Sequence, residues 1–163
     1  MHCIKKIISG GQTGADIGGL VGARRAGIAT GGYCPNGYKT EKGSQPILAD
    51  YGLIEHDSSD YAPRTIANVK LADATIVFCT DAHSPGTEKT LSAIAQYNKP
   101  HLTISPFQPG VENRIVAFIN QHQPVIINIA GHRESQSPGI AAKVAGIVER
   151  VLKRFQEASF SLE

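Results

Sequence analysis

Chemistry-bearing residues concentrate first in Gly10-Gly11-Gln12-Thr13-Gly14-Ala15-Asp16. An apolar run, Ile4–Ile8, precedes this stretch, and helical spacing follows it from about Ala15. A strand, a glycine-rich turn and a helix start in that order suit a phosphate or similar oxyanion. The helix start offers unpaired N–H groups and the positive end of its dipole, and glycine lets the ligand approach the backbone. The candidate anion binders are therefore Gly10, Gly11, Gln12, Thr13 and Gly14. Asp16, three residues after Thr13, reads equally as the partner in a capping box and as a ligand contact. The turn is neither GxGxxG nor a Walker A sequence, so it does not support dinucleotide binding or P-loop NTPase chemistry. A β-branched residue at Gly11 is expected to abolish ligand binding in a protein that still folds.

Further candidates lie at a distance along the chain. Thr80, Gly86, Thr87 and Glu88 follow the apolar run Ala74–Thr80, with Thr87 placed to cap a helix over Glu88–Asn98. Thr87 and Glu88 read either as cap and dipole partner or as ligand contacts. Glu88 is the one candidate for a catalytic carboxylate. Gly131, Arg133 and Glu134 follow the last apolar run, where Arg133 suits an oxyanion clamp better than a surface ion pair. Arg64 and Asn68 share a helix face at i, i+4, for which a solvated face is the plain alternative. His83 and His132 sit in loops that should border the site. No metal-ligand set accompanies them, so exposed loop histidines are the favoured reading. Lys39, Glu41 and Lys42 read as solvated charges of a long loop, with a lid as the alternative.

These residues need a scaffold that converges loops. Apolar runs alternate with helical patterns, which predicts α/β: a three-layer, Rossmann-like, doubly wound and mostly parallel sheet with helices on both faces. The expected strands are Ile4–Ser9, Ile28–Tyr33, a short edge Leu53–His56, Ala74–Thr80, His101–Ile104 and Val125–Ala130. The expected helices span Gly14–Ala26, Tyr61–Leu71, Glu88–Asn98 and Gly110–His122, with a last one opening at Ser137-Pro138. Residues 1–158 read as one domain and 159–163 as a loose tail. In a Rossmann order the first strand and Ala74–Thr80 flank the switch point, where ligands bind beyond the strand ends. The loops Gly10–Gly14 and Thr80–Thr87 would then face one crevice, with Gly131–Ser137 closing its far side. Gly18, Gly19 and Gly22 each cost the first helix about 1 kcal/mol relative to Ala, which calls for close packing against the sheet or another subunit.

Lys+Arg 16 against Asp+Glu 14 leaves a net charge of only +2, too little to suggest nucleic acid or a membrane surface. Cys3, Cys34 and Cys79 are too few for a disulfide framework, and Cys3 and Cys79 read as buried small hydrophobes. With no signal segment or bilayer-length apolar run, a reduced, cytoplasmic setting is expected.

Four motifs carry a family resemblance across nearly the whole chain. Gly10–Asp16 resembles the opening motif of the molybdenum-cofactor carrier family. Gly31-Gly32-Tyr33-Cys34-Pro35-Asn36-Gly37 is similar to that family's Gly-Gly-Trp-Cys-Pro-Lys-Gly. Tyr61-Ala62-Pro63-Arg64-Thr65 with Asn68-Val69 resembles its Tyr-x-x-Arg-Thr-x-x-Asn-Val. Ala130-Gly131-His132-Arg133-Glu134-Ser135 and Ser137-Pro138-Gly139-Ile140 look like its Ala-Gly-Pro-Arg-Glu-Ser and Ser-Pro-Gly-Ile segments. The wider superfamily is Rossmann-like and includes the Lonely Guy (lysine-decarboxylase-like) phosphoribohydrolases and the DNA-processing protein DprA. The resemblance implies a homo-oligomer, a dimer or tetramer, that binds molybdenum cofactor (molybdopterin), a pterin with a terminal phosphate and a dithiolene-held metal; failing that, it implies another phosphate-containing small molecule. It strengthens Arg64, Asn68 and Arg133 as binding residues. Ile17 stands where the family commonly has Arg, Asn36 where it has Lys, and His132 where it has Pro.

A carrier is the leading function: the crevice holds the ligand's phosphate on backbone amides, Thr13 and Arg133, and no bond is broken. The alternative is a nucleoside 5′-monophosphate phosphoribohydrolase of Lonely Guy type. Those enzymes have Pro-Gly-Gly-x-Gly-Thr-x-x-Glu, whereas this chain has Ser84-Pro85-Gly86-Thr87-Glu88, with Leu91 where the glutamate would align. A nucleotide-sensing module is a further alternative.

Overall fold

The structure, a computed structural model, describes residues 2–161. Its main sheet has six strands, all parallel: β1 (Lys6–Ile8), β2 (Ala29–Cys34), β5 (Leu53–Glu55), β6 (Ala74–Phe78), β7 (His101–Ile104) and β8 (Ile126–Gly131). Two short antiparallel strands, β3 (Lys39–Thr40) and β4 (Gly43–Ser44), form a hairpin inside the long polar loop, and a 3₁₀ turn over Pro46–Tyr51 follows it. Five α-helices lie among the described residues: α1 (Ala15–Arg25), α2 (Tyr61–Leu71), α3 (Pro85–Tyr97), α4 (Val111–His122) and α5 (Ile140–Phe160).

The strand order is β5-β2-β1-β8-β6-β7. This corrects the expected adjacency of the first strand and Ala74–Thr80, because β8 lies between them. Ile7 pairs with Ile127 on one side of β8, and Ile76 pairs with Ile129 on the other. Counted from β8, the sheet is an ordinary doubly wound one: β1, β2 and β5 step outward in one direction, β6 and β7 in the other. The switch point therefore falls between β8 and β6.

What seats β8 in the middle is its helix. Helices α1 and α5 pack on one face with α4, burying Ile129, Ile140, Val144, Ile147, Val148, Val151 and Leu152 in the main core. Each such side chain is worth about 1.5–3 kcal/mol when fully buried. The α1 glycines make this contact possible. A Cβ on Gly18 would sit 2.6 Å from the Ala141 carbonyl oxygen, one on Gly22 2.5 Å from that of Ala145, and one on Gly19 2.7 Å from Ile129 Cβ. The compensation for three helical glycines is thus supplied within the chain. Helices α2 and α3 cover the other face through Val69, Val77, Cys79, Ala93 and Ile94.

Local differences from the expected boundaries have local causes. Helix α3 begins at Pro85, with Ser84 before it, so Thr87 lies in the first turn and its Oγ1 accepts the Ser84 hydroxyl at 2.9 Å. Pro at the first helical position needs no N–H acceptor. Helix α5 starts after Gly139 (φ 89°) rather than at Ser137-Pro138. It also runs on through Ser159 and Phe160, so the expected loose tail is partly helix, while 162–163 lie outside the described residues. Cys3 is exposed rather than buried. Among the described residues, no helix is long and apolar enough to cross a membrane.

Candidate functional site

The Gly10–Asp16 turn is closed by its own side chain. The Asp16 carboxylate accepts the N–H groups of Gly10 and Gln12, the latter at 3.2 Å, and pairs with Arg64 Nη1 at 3.3 Å. The Gly11 N–H goes to Ser9 Oγ and that of Thr13 to Gln12 Oε1. At the helix start, Ala15 N–H donates to the His132 carbonyl and Ile17 N–H to that of Gln12. Much of the expected backbone anion cradle is therefore engaged by internal acceptors, Asp16 among them. No capping box forms either, since α1 is preceded by Gly14 at φ 82° with no side-chain cap. Burial pushes the Asp16 carboxyl above its usual range, opposed chiefly by the Arg64 charge and then by the two N–H bonds.

The glycines of the turn serve packing as well. Gly11 has φ 74°, and a Cβ there would lie 2.8 Å from both Leu48 Cδ1 and Leu53 Cδ2. A β-branched residue at Gly11 thus presses on the small core of Leu20, Cys34, Leu48 and Leu53, so it lowers stability as well as altering the turn. Gly14 lies against the backbone of His132, Arg133 and Glu134, which docks the β1 loop to the β8 loop. Gly10 leaves room for the Arg64 guanidinium.

Beyond the ends of β1, β8 and β6 lies a cavity of about 220 Å³. Of the residues expected at the site, Gly10, Gln12, Asp16, Arg64, Asn68, Gly86, Thr87, Gly131 and Arg133 line it. Its floor is β8 from Asn128 to Gly131, and its rim is the start of α2 and the first turns of α3. Three cations border it: Arg64, Arg133 and Lys89. Asp16 is its one carboxylate, already engaged by Arg64. At the start of α3, the Gly86 and Thr87 N–H groups precede the first possible intrahelical acceptors and carry the positive end of the helix dipole.

Two donors stand out. Gln12 is 4% exposed, and its Oε1 accepts the N–H groups of Thr13 and Glu41 at 3.0 and 2.9 Å. Those bonds fix the amide, so Nε2 is the end left over, and it has no partner. Arg64 Nε is likewise buried and unpartnered. A buried donor without an acceptor is costly, and both of these lie on residues of the cavity wall, closed to solvent.

Not every expected residue offers its side chain to the cavity. Asn68 spends its amide on β2, donating to the Tyr33 carbonyl at 2.9 Å and accepting its N–H at 2.8 Å, so it positions α2. Thr13 Oγ1 faces away from the cavity, donating to Glu41 and accepting the Glu134 N–H at 3.2 Å. Gly11, Thr13, Gly14 and Glu134 line a separate hollow beside Ile17 and Leu48. Thr80 is exposed outside the cavity, and Glu88 lines a groove between α2 and α3. Glu41 is no solvated charge: its carboxylate also accepts the Ser135 N–H and hydroxyl. Those bonds, with Ser135's first and Thr13's next, hold its carboxyl below the usual range. His132 is 3% exposed, and its Nε2 accepts the Asp81 N–H at 3.2 Å. Burial pushes its pKa down, with Asp81 opposing. Lys89, Thr90, Tyr61, Asn128 and Gln136 line the cavity without having been singled out. The signal for Lys89 was its place one turn into a helix that starts at Pro85. Among the described residues, no group of three or more His, Cys, Asp and Glu side chains is placed to hold a metal ion. The Cys34 thiol is pushed up to about 11, first by burial and then by Glu55.

A family model described as "circularly permutated YpsA SLOG family" matches residues 7–152. The chain belongs to this circularly permuted YpsA SLOG family. The permutation agrees with the sheet, in which the last strand, β8, takes the central place that opens an unpermuted order. A solved structure of similar shape is the crystal structure, at 1.45 Å resolution, of the "Putative molybdenum carrier protein" from Syntrophus aciditrophicus SB. It is 34% identical, with a TM-score of 0.85, over 93% of this chain and 96% of that one. A comparison with curated proteins finds no match.

Proposed function

We propose that this family member is a molybdenum-cofactor carrier that grips its cargo by the terminal phosphate. The observation that carries this reading is the convergence of three cations, Arg64, Arg133 and Lys89, on one small cavity beyond the strand ends. A phosphate dianion suits such a set through charge-assisted bonds. The start of α3 adds two N–H groups and its dipole. The cargo's own chemistry, a metal held on a pterin dithiolene, asks of the protein only affinity and shielding.

The carboxylate inventory favours carrying over hydrolysis. Asp16 is the one acid lining the cavity, and Arg64 and backbone N–H groups already engage it. No free carboxylate lines the cavity itself to activate water beside the phosphate. The test is titration calorimetry with inorganic phosphate on the wild type and on Arg133→Ala and Lys89→Ala, alongside assay of the purified protein for a bound pterin. Each variant should bind at least about tenfold more weakly, the equivalent of losing one charge-assisted contact. Unchanged phosphate affinity in both variants refutes the proposal. Release of free base from a nucleoside monophosphate would replace the carrier by the enzyme.

A further inference from the structure

The phosphate cavity is too small for a whole pterin phosphate. Its volume is about 220 Å³, whereas pockets for ligands of that class span about 300–1,000 Å³. The ring of such a ligand therefore extends beyond the cavity, and two neighbouring hollows could receive it. The hollow beside Leu48, about 350 Å³, shares no lining residue with the cavity and lies behind the Gly11–Gly14 turn. The groove between α2 and α3, about 440 Å³, shares Ala62, Thr65, Pro85 and Lys89 with it. The cavity and this groove therefore adjoin across those four residues, with Lys89 common to both.

Resting on the phosphate reading above, we infer that the α2–α3 groove is the ring subsite of the same ligand, and that Glu88 reads the ring's edge. The groove has the apolar surface a flat heterocycle needs, in Ala62, Ile66, Pro85 and Ala93. Glu88 is its one carboxylate, and Ser92 and Gln96 extend the polar side along α3. The Glu88 side chain is 60% exposed, and the nearest partner among the described residues is His83 Nδ1 at 3.9 Å, so its oxygens are open to a ligand. A carboxylate accepts two parallel N–H bonds. The 2-amino-4-oxopyrimidine edge offers that pair, as a ring N–H beside an exocyclic amino group. Pterins and guanine carry this edge. Adenine has no such pair, and hypoxanthine lacks the amino group. Glu88 thus takes a selecting role in place of the catalytic one the sequence suggested. The subsite defines the ligand class as a phosphomonoester of a 2-amino-4-oxo heterocycle.

The experiment titrates the full chain with GMP, IMP, AMP, guanosine, inosine and inorganic phosphate, then repeats the series on Glu88→Gln. In the wild type, GMP should bind about tenfold tighter than IMP and AMP, a modest ratio because the carboxylate is largely exposed. Glu88→Gln should bring GMP to the level of IMP and leave inorganic phosphate unaffected. Equal binding of the three nucleotides, or a preference that survives in Glu88→Gln, overturns the ring subsite. Phosphate binding without base preference overturns the subsite alone. A preference for guanosine over inosine without phosphate binding overturns the phosphate pocket alone, and binding of neither overturns both. If Ile66→Glu splits an oligomer and leaves the base preference unchanged, a second copy covers the groove and the assignment falls.

Discussion

Truncating Asp16 to Ala should be the most damaging single change at the site. The carboxylate is 5% exposed and joins two backbone N–H groups to a guanidinium that is itself 12% exposed. Asp16→Ala leaves Arg64 buried without its counter-charge and opens the turn between β1 and α1. Breaking a buried pair from one side costs about 3–5 kcal/mol. A domain holds only about 5–15 kcal/mol in total. At about 2–4 °C per kcal/mol for a chain of this size, the melting temperature should fall by roughly 6–20 °C. Urea unfolding and calorimetry measure the loss. Two further readings separate this cause from simple cavity formation. Asp16→Ala with Arg64→Met should be more stable than the sum of the single changes, because no charge is left unpaired. Phosphate at about one hundred times its dissociation constant should return about 2.7 kcal/mol to Asp16→Ala, since the freed guanidinium keeps its anion. A loss below about 1 kcal/mol, or strict additivity in the double variant, would show that Asp16 does not hold the turn together.

Gly11→Val should lower stability by at least about 1–3 kcal/mol, through overpacking against Leu48 and Leu53 at a positive φ; a Val variant of wild-type stability contradicts the packing described. The folded-state pKa of His132 is lowered from about 6.5, so the unfolded state binds more protons just below that pH. Stability contributed by the buried neutral ring is therefore full above about 6.5 and falls as pH drops toward the folded value, at up to about 1.4 kcal/mol per pH unit. His132→Gln should flatten the melting temperature between pH 5 and 6.5, and an unchanged slope would assign it to other groups. Glu41→Ala frees the β3–β4 hairpin from Thr13 and Ser135, and amide exchange across Lys39–Ser44 should speed up about fivefold, equivalent to about 1 kcal/mol of local stability. Gly18→Leu should prevent the close approach of α1 and α5, and a soluble variant with wild-type unfolding behaviour would refute that contact.

Periodicity and turn chemistry in the sequence are local properties, and they carried the local features. Every helix was placed, including α1 with its three glycines, and so were the strands that make the sheet. The motif at Gly10–Asp16 was recognised as a special turn because glycines at positive φ and an acid at a helix start are visible one residue at a time. Which donors of that turn remain free is a different kind of property. Asp16 folding back on Gly10 and Gln12, and Arg64 arriving from α2, depend on contacts across the fold, so the motif looked like an empty cradle.

Arg64 and Arg133, which the resemblance strengthened as binding residues, both line the cavity, whereas the spacing of Arg64 with Asn68 alone could not tell a solvated face from a cavity wall. By itself, then, the sequence determined the α/β class, the elements and the motifs in their order along the chain. Only the tertiary structure decided that β8 enters the sheet between β1 and β6, moving the switch point and dividing the expected residues between a cavity, a groove and a separate hollow. The reason is that strand order is set by long-range packing, here the close fit of α5 on Gly18 and Gly22 of α1, which no local pattern in the chain encodes.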